Sequence, residues 1–146
     1  MVIMEAGFQS VQRLKVWQKS MDLVEASYKL SSRLPLDERF GLISQIRRAA
    51  TSVPANIAEG FGRWNARDFA RFVAIASGSL RELETHLIIV QRLGYLEKAA
   101  VDSALHLTDD LSRMLYRMRC RVLANIAASE QKPKFRSRTA NQATRS

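Results

Sequence analysis

At 146 residues with 47% hydrophobic content, the chain has the length and composition of one globular domain able to bury a core. Its 3 Pro and 6 Gly are too few for an all-β chain built on many tight turns. A formal charge of +9, from 23 Lys+Arg against 14 Asp+Glu, suits polyanionic partners, chiefly nucleic acid and less often anionic membrane.

The first residues, MVIMEAGFQS, have no basic n-region and carry Glu5 where the apolar stretch of a secretory signal would run. No apolar run approaches the roughly 20 residues of a membrane span. Apolar runs such as Leu87 to Val90 are short, so the expected setting is soluble and cytoplasmic, with no membrane partner. Four segments carry helical periodicity and none alternates as a strand does. Helix one is expected from Arg13 to Arg33, with Leu14, Trp17, Met21, Val24 and Tyr28 as its apolar stripe and Pro35 as its stop. Helix two is expected from Asp37, where acids complement the positive end of the dipole. Its apolar positions Leu42, Ile46, Ala49, Val53 and Ile57, joined by Ile43, Ala50 and Phe61, make a face wider than one bundle seam requires. Pro54 should kink this helix without ending it, because the pattern resumes at Ile57. Gly60 and Gly62 are expected to loosen the backbone beyond it.

Asn65 stands as N-cap of helix three, with Asp68 three positions on. Phe69, Val73, Ala76, Leu80, Leu83, Leu87 and Val90 form the most regular seam in the chain. Gly94 is placed to end it in a Schellman motif, followed by Tyr95 and Leu96. Helix four takes over near Glu97, with Val101, Ala104, Leu111, Leu115, Met118 and Val122 inward and Thr108 as the polar interruption. Its Cys120 is the one cysteine, which excludes an internal disulfide and a cysteine-built zinc site. From Ala128 the pattern dissolves into a basic tail. The expected organisation is an N-terminal segment 1–12, a four-helix domain 13–127 and a disordered basic tail 128–146. Short connections between helices of matched length predict an all-α, antiparallel up-down-up-down four-helix bundle.

Arg113, Arg117 and Arg121 step by four along helix four, and only Arg113 has an acid (Asp109 or Asp110) within reach on its own helix. Arg63, Arg67 and Arg71 form a second series. Co-facial, unpaired guanidinium groups are what a phosphate backbone engages, without reading sequence; the bland alternative is a solvated face or dipole compensation near a helix C-terminus. Phe135 among the tail's cations is a further stacking candidate, which a solubilising tail explains as simply; Trp64 beside Arg63 is another, but is expected rather to pack at the corner of helices two and three. On helix two, Gln45, Arg48, Ser52, Asn56 and Glu59 form a polar stripe with Arg47 beside it. Arg48 and Glu59 are expected to complement one another, in a buried ion-pair network or a subunit contact. No nucleophile–base constellation accompanies the stripe, so no enzyme is expected. Glu82 with His86 and Asp102 with His106 are the nearest approach to a di-metal bundle signature, but their seams turn the two histidines apart, so no metal or other cofactor is expected. Ser77, Gly78 and Ser79 interrupt helix three with small residues, which suits close approach of another helix, within the subunit or from another.

Several blocks occur in order along the chain: Leu14-Lys15-Val16-Trp17, Arg39-Phe40-Gly41-Leu42, Gln45-Ile46-Arg47-Arg48-Ala49-Ala50, Asn56-Ile57-Ala58-Glu59-Gly60, Gly78-Ser79-Leu80, Glu82-Leu83-Glu84 and Leu93-Gly94-Tyr95-Leu96. Together they resemble the bacterial four-helix-bundle proteins encoded by intervening sequences of large-subunit ribosomal RNA genes, closely from Arg13 to Leu96 and loosely beyond. The resemblance implies a homopentamer of four-helix subunits and no catalysis. A related branch, the accessory variability determinant of diversity-generating retroelements, associates with a reverse transcriptase and with nucleic acid. The resulting expectation is a basic, pentameric, non-enzymatic accessory protein. Arg47, Arg48, Arg63, Arg67, Arg113, Arg117 and Arg121 are its candidate phosphate contacts with RNA or other nucleic acid. The rival expectation is a protein–protein adaptor, for example for a reverse transcriptase, with no nucleic-acid role.

Overall fold

The helical periodicities of the sequence become four α-helices in the computed structural model, which describes residues 11–131. They are α1 (Lys15–Ser31), α2 (Leu42–Phe61), α3 (Ala66–Arg92) and α4 (Lys98–Glu130), with a 3-10 turn at Leu36–Phe40 between the first two. No strand occurs among the described residues. The N-terminal ten residues and the basic tail from Lys132 onward, including Phe135, lie outside them. Helix α4 runs to Glu130, a few residues past the expected boundary.

One core joins all four helices. Leu23 from α1, Ile46, Val53 and Ile57 from α2, Leu80, Leu83 and Leu87 from α3, and Leu111 and Leu115 from α4 are completely or almost completely withdrawn from solvent. Each such side chain contributes about 1.5–3 kcal/mol of burial. The expected seams of α2 and α3 are buried apart from half-buried Leu42, Ile43, Phe61 and Phe69, and that of α4 is buried as far as Leu115, with Met118 and Val122 half-buried. That of α1 is not. Its inward positions are Val16, Ser20, Leu23, Ser27 and Leu30, while Met21 and Tyr28 are exposed and Trp17 and Val24 only half-buried. The stripe is turned because two inward places are serines, which a search for apolar spacing passes over. Ser20 Oγ resolves its polarity by donating to the Trp17 carbonyl (2.6 Å).

Caps decide the ends. Asp37 and Glu38 open the 3-10 turn rather than α2, correcting the expected start. Glu38 instead reaches forward, its Oε2 accepting from the Leu42 amide at 2.9 Å, while its Oε1 accepts from the Tyr95 hydroxyl at 2.9 Å. One carboxylate thus caps α2 and ties it to the α3–α4 connection. Pro54 is buried inside an α2 that continues to Phe61. Asn65 Oδ1 accepts from the amides of Arg67 (2.9 Å) and Asp68 (3.2 Å), as an N-cap should. At the far end of α3, Tyr95 N–H donates to Val90 (3.2 Å) and Gly94 N–H to Gln91 (3.1 Å), with Gly94 at φ 69°, the Schellman pattern.

Gly60 is not a loosening element. It sits buried within α2, where an added Cβ would lie 2.5 Å from Phe72 Cβ, so hydrogen alone lets α2 and α3 close on each other. Ser52 Oγ and Ser79 Oγ meet at 2.8 Å further along the same contact. Arg48 reaches Glu82 beyond that, so partners on α3 descend in number as positions on α2 rise. The same descent links Lys19 to Asp110 and Arg33 to Glu97 between α1 and α4, and Arg67 to Glu130 and Arg81 to Ser112 between α3 and α4.

Candidate nucleic-acid interface

Helix α4 carries the most continuous positive face. Between Leu111 and Ser129 it bears Arg113, Arg117, Arg119 and Arg121 and no acid. Arg113 is held by Asp109 (2.6 Å). Arg117, Arg119 and Arg121 are exposed and have no ion-pair partner among the described residues. Dipole compensation does not account for them, since that effect fades within the last turn and Arg121 stands more than two turns before Glu130.

The remaining predicted arginines are not unpaired. Arg48 donates to Gln45 and Glu82 (both 2.8 Å), so Glu82 and not Glu59 is its acid. Glu59 pairs with Arg63 (2.7 Å), whose guanidinium also lies over the Phe72 ring at 5.3 Å. Arg67 pairs with Glu130, and Arg71 lies 3.8 Å from Asp68. Arg47 is half-buried, donating to Ser31 Oγ (3.0 Å) and stacking on Tyr28 at 4.6 Å. These ion pairs are surface pairs worth about 0–1 kcal/mol each, and the expected buried network on α2 is absent. The polar stripe of α2 is instead a hydrogen-bonded border with α3, in which Asn56 Nδ2 donates to Ser52 (2.8 Å to its carbonyl).

Between α3 and α4 runs an open groove of two lobes, about 400 and 340 Å³. Asp109, Arg113 and Arg117 line the first; Ala74, Ser77, Gly78 and Arg119 line the second. Arg81, Ser112 and Tyr116 border both. Arg81 is fixed by Glu84 (2.6 Å) and by donation to Ser112 Oγ (2.9 Å). Tyr116 is 70% exposed. Sequence reasoning passed over Arg81, Tyr116 and Arg119, though an aromatic inside an acid-free arginine run was a readable signal. Trp64, expected to pack at the α2–α3 corner, is 84% exposed with a positive φ of 56°. Gly78 opens onto nothing within 4 Å, so no helix among the described residues approaches it.

The histidines stay apart: His86 is half-buried on α3, its Nε2 3.6 Å from Glu82, while His106 is exposed on α4. No group of three or more His, Cys, Asp or Glu gathers as a metal set among the described residues, nor is any helix there long and apolar enough to cross a membrane.

The 23S rRNA-intervening sequence protein family matches this chain over residues 12–117. The chain belongs to that family. A solved structure from Bacteroides thetaiotaomicron, a protein of unknown function from the S23 ribosomal protein family, is similar at 25% identity and a TM-score of 0.66. The likeness covers 71% of this chain and 97% of that one. No curated protein matches. The family match takes in the α3 wall of the groove with Arg113, Tyr116 and Arg117, while Arg119 and Arg121 lie past its end.

Proposed function

We propose that this member of the intervening-sequence family is a non-enzymatic cytoplasmic accessory protein that associates with RNA or other nucleic acid through the arginine face of α4. The observation that carries this is the acid-free run from Arg113 to Arg121 on an exposed helix face. Guanidinium groups there would contact phosphates and position a polyanion without reading its bases. Arg47, Arg48, Arg63 and Arg67 are secondary, since phosphate would first have to displace Ser31, Glu82, Glu59 and Glu130 respectively.

The subunit is proposed to be an antiparallel up-down-up-down bundle, supported by the descending order of partners between neighbouring helices, and to assemble as a homopentamer, as the resemblance implies. Filter binding of a ribosomal RNA fragment at two salt concentrations tests the function. Retention should fall steeply with salt as neutralised phosphates release counterions, and Arg117→Glu with Arg121→Glu should abolish it while assembly persists. Absent or salt-insensitive retention would end this reading.

A second reading, a protein–protein adaptor that could serve a reverse transcriptase, draws on Leu36 and Phe40, large apolar side chains left more than four-fifths exposed on the 3-10 turn. It predicts partner capture that Phe40→Ser removes and the α4 charge reversals leave intact.

A further inference from the structure

We infer that the α3–α4 groove is a single-strand site, in which a nucleobase stacks on Tyr116 while Arg117 and Arg119 hold the flanking phosphates, with Arg81 and Arg113 as secondary contacts; this rests on the proposed nucleic-acid role and assigns it a place and a strand preference. Tyr116, with Arg81 and Ser112, borders both lobes and stands 70% exposed among cations, where a tyrosine gains little from packing. Its ring offers a sequence-tolerant platform for any base with a free face. A duplex keeps its base faces stacked on one another and offers only edges in its grooves, so it cannot use such a platform.

Size agrees. Each lobe falls within the range of small-ligand pockets, about 300–1,000 Å³, at about 400 and 340 Å³. The groove's opposite wall is Gly78, which has open space where a side chain would project. Glycine in a helix interior costs roughly 1 kcal/mol relative to alanine, and no contact among the described residues requires it here. Keeping this wall low preserves the depth beside Tyr116. Arg117 and Arg119 have no ion-pair partner among the described residues and meet a phosphate first, whereas at Arg81 and Arg113 it must compete with Glu84 and Asp109. Asp109 is the one acid on the lining, and it lies in the lobe away from Gly78.

The test uses the full chain at low salt, with a short labelled oligo(A) RNA, the same sequence as DNA, and a duplex of equal charge. Tyr116→Ala should weaken both single strands roughly tenfold or more and leave the duplex unchanged; Tyr116→Phe should restore wild-type binding. Gly78→Leu, whose Cβ would have no neighbour within 4 Å among the described residues and whose side chain would project into the groove, should weaken single strands selectively at unchanged helix content and assembly. If Tyr116→Ala spares the single strands or weakens all probes alike, the stacking site is overturned while the arginine-face reading survives. If the wild-type chain retains no probe, both fall. Displacement by polyglutamate at equal charge, independent of Tyr116, would assign the groove to acidic protein instead, and loss of assembly in Gly78→Leu would assign it to another subunit.

Discussion

Two glycines in adjacent helices do opposite things. Gly60 is where α2 and α3 touch, and a methyl group there would fall on Phe72. Gly60→Ala should therefore destabilise the fold by about 1–3 kcal/mol through overpacking, seen as a lowered midpoint in urea unfolding. Gly78→Ala meets nothing and should stabilise by about 1 kcal/mol, the difference in helix propensity, in the same titration. Asn65 makes a third residue-scale case. Its carboxamide holds two amides of the first turn of α3, so Asn65→Ala should cost about 1 kcal/mol with α4 contacts unaffected. The cap was legible in the sequence because Asn before a periodic run has one common use. The roles of the glycines were not, since composition and spacing cannot say whether a neighbouring backbone is near.

At the scale of the element, junctions matter more than helices. The α3–α4 connection is held by Tyr95, whose hydroxyl donates to the same Glu38 that caps α2. That hydrogen bond, with some burial and the nearby charges of Glu38 and Asp37, holds the phenol pKa above its ordinary 10.0. Folding thus favours the protonated ring: the contribution is complete below the ordinary value and is lost as pH rises through the raised one. Stability measured by thermal unfolding should drop on the alkaline side of pH 10.0, and Tyr95→Phe should flatten that arm. Element type and the phases of α2, α3 and α4 were legible because their inward positions are almost all apolar. Helix α1 misled because Ser20 and Ser27 occupy inward places while Met21 and Tyr28 face out. The 3-10 turn was missed because acids at a helix start look the same whether the first turn is α or 3-10.

Across the whole molecule, α1 and α4 are first and last in the bundle and close it with two ion pairs, Lys19–Asp110 (3.1 Å) and Arg33–Glu97 (2.7 Å). The hydrogen bond from Lys19 lowers the Asp110 carboxyl below its ordinary 3.8, and that from Arg33 lowers Glu97 below its ordinary 4.5. Both contributions are complete above those ordinary values and are lost as pH falls through the lowered ones. The double variant Asp110→Asn, Glu97→Gln should therefore show a shallower loss of stability than the parent between pH 4.5 and lower, measured by acid titration of helicity. At this scale the candidate interface was half legible. Stepping by four put Arg113, Arg117 and Arg121 on one face, whereas the acids that occupy Arg48 and Arg67 come from other helices, at separations no local pattern reports.

Helix α4 is longest, and none of its residues after Leu115 is buried; Met118, Val122 and Ile126 are only half-covered. Segments with few buried contacts open at the lowest free energy in a protein. Amide protons from Tyr116 onward should accordingly trade for deuterium first, well before those of Val101 to Leu111. Arg117, Arg119 and Arg121 thus ride on the less anchored half of α4, and a polyanion settling there would stiffen it. The slowing of that exchange would report occupancy without any label on the ligand.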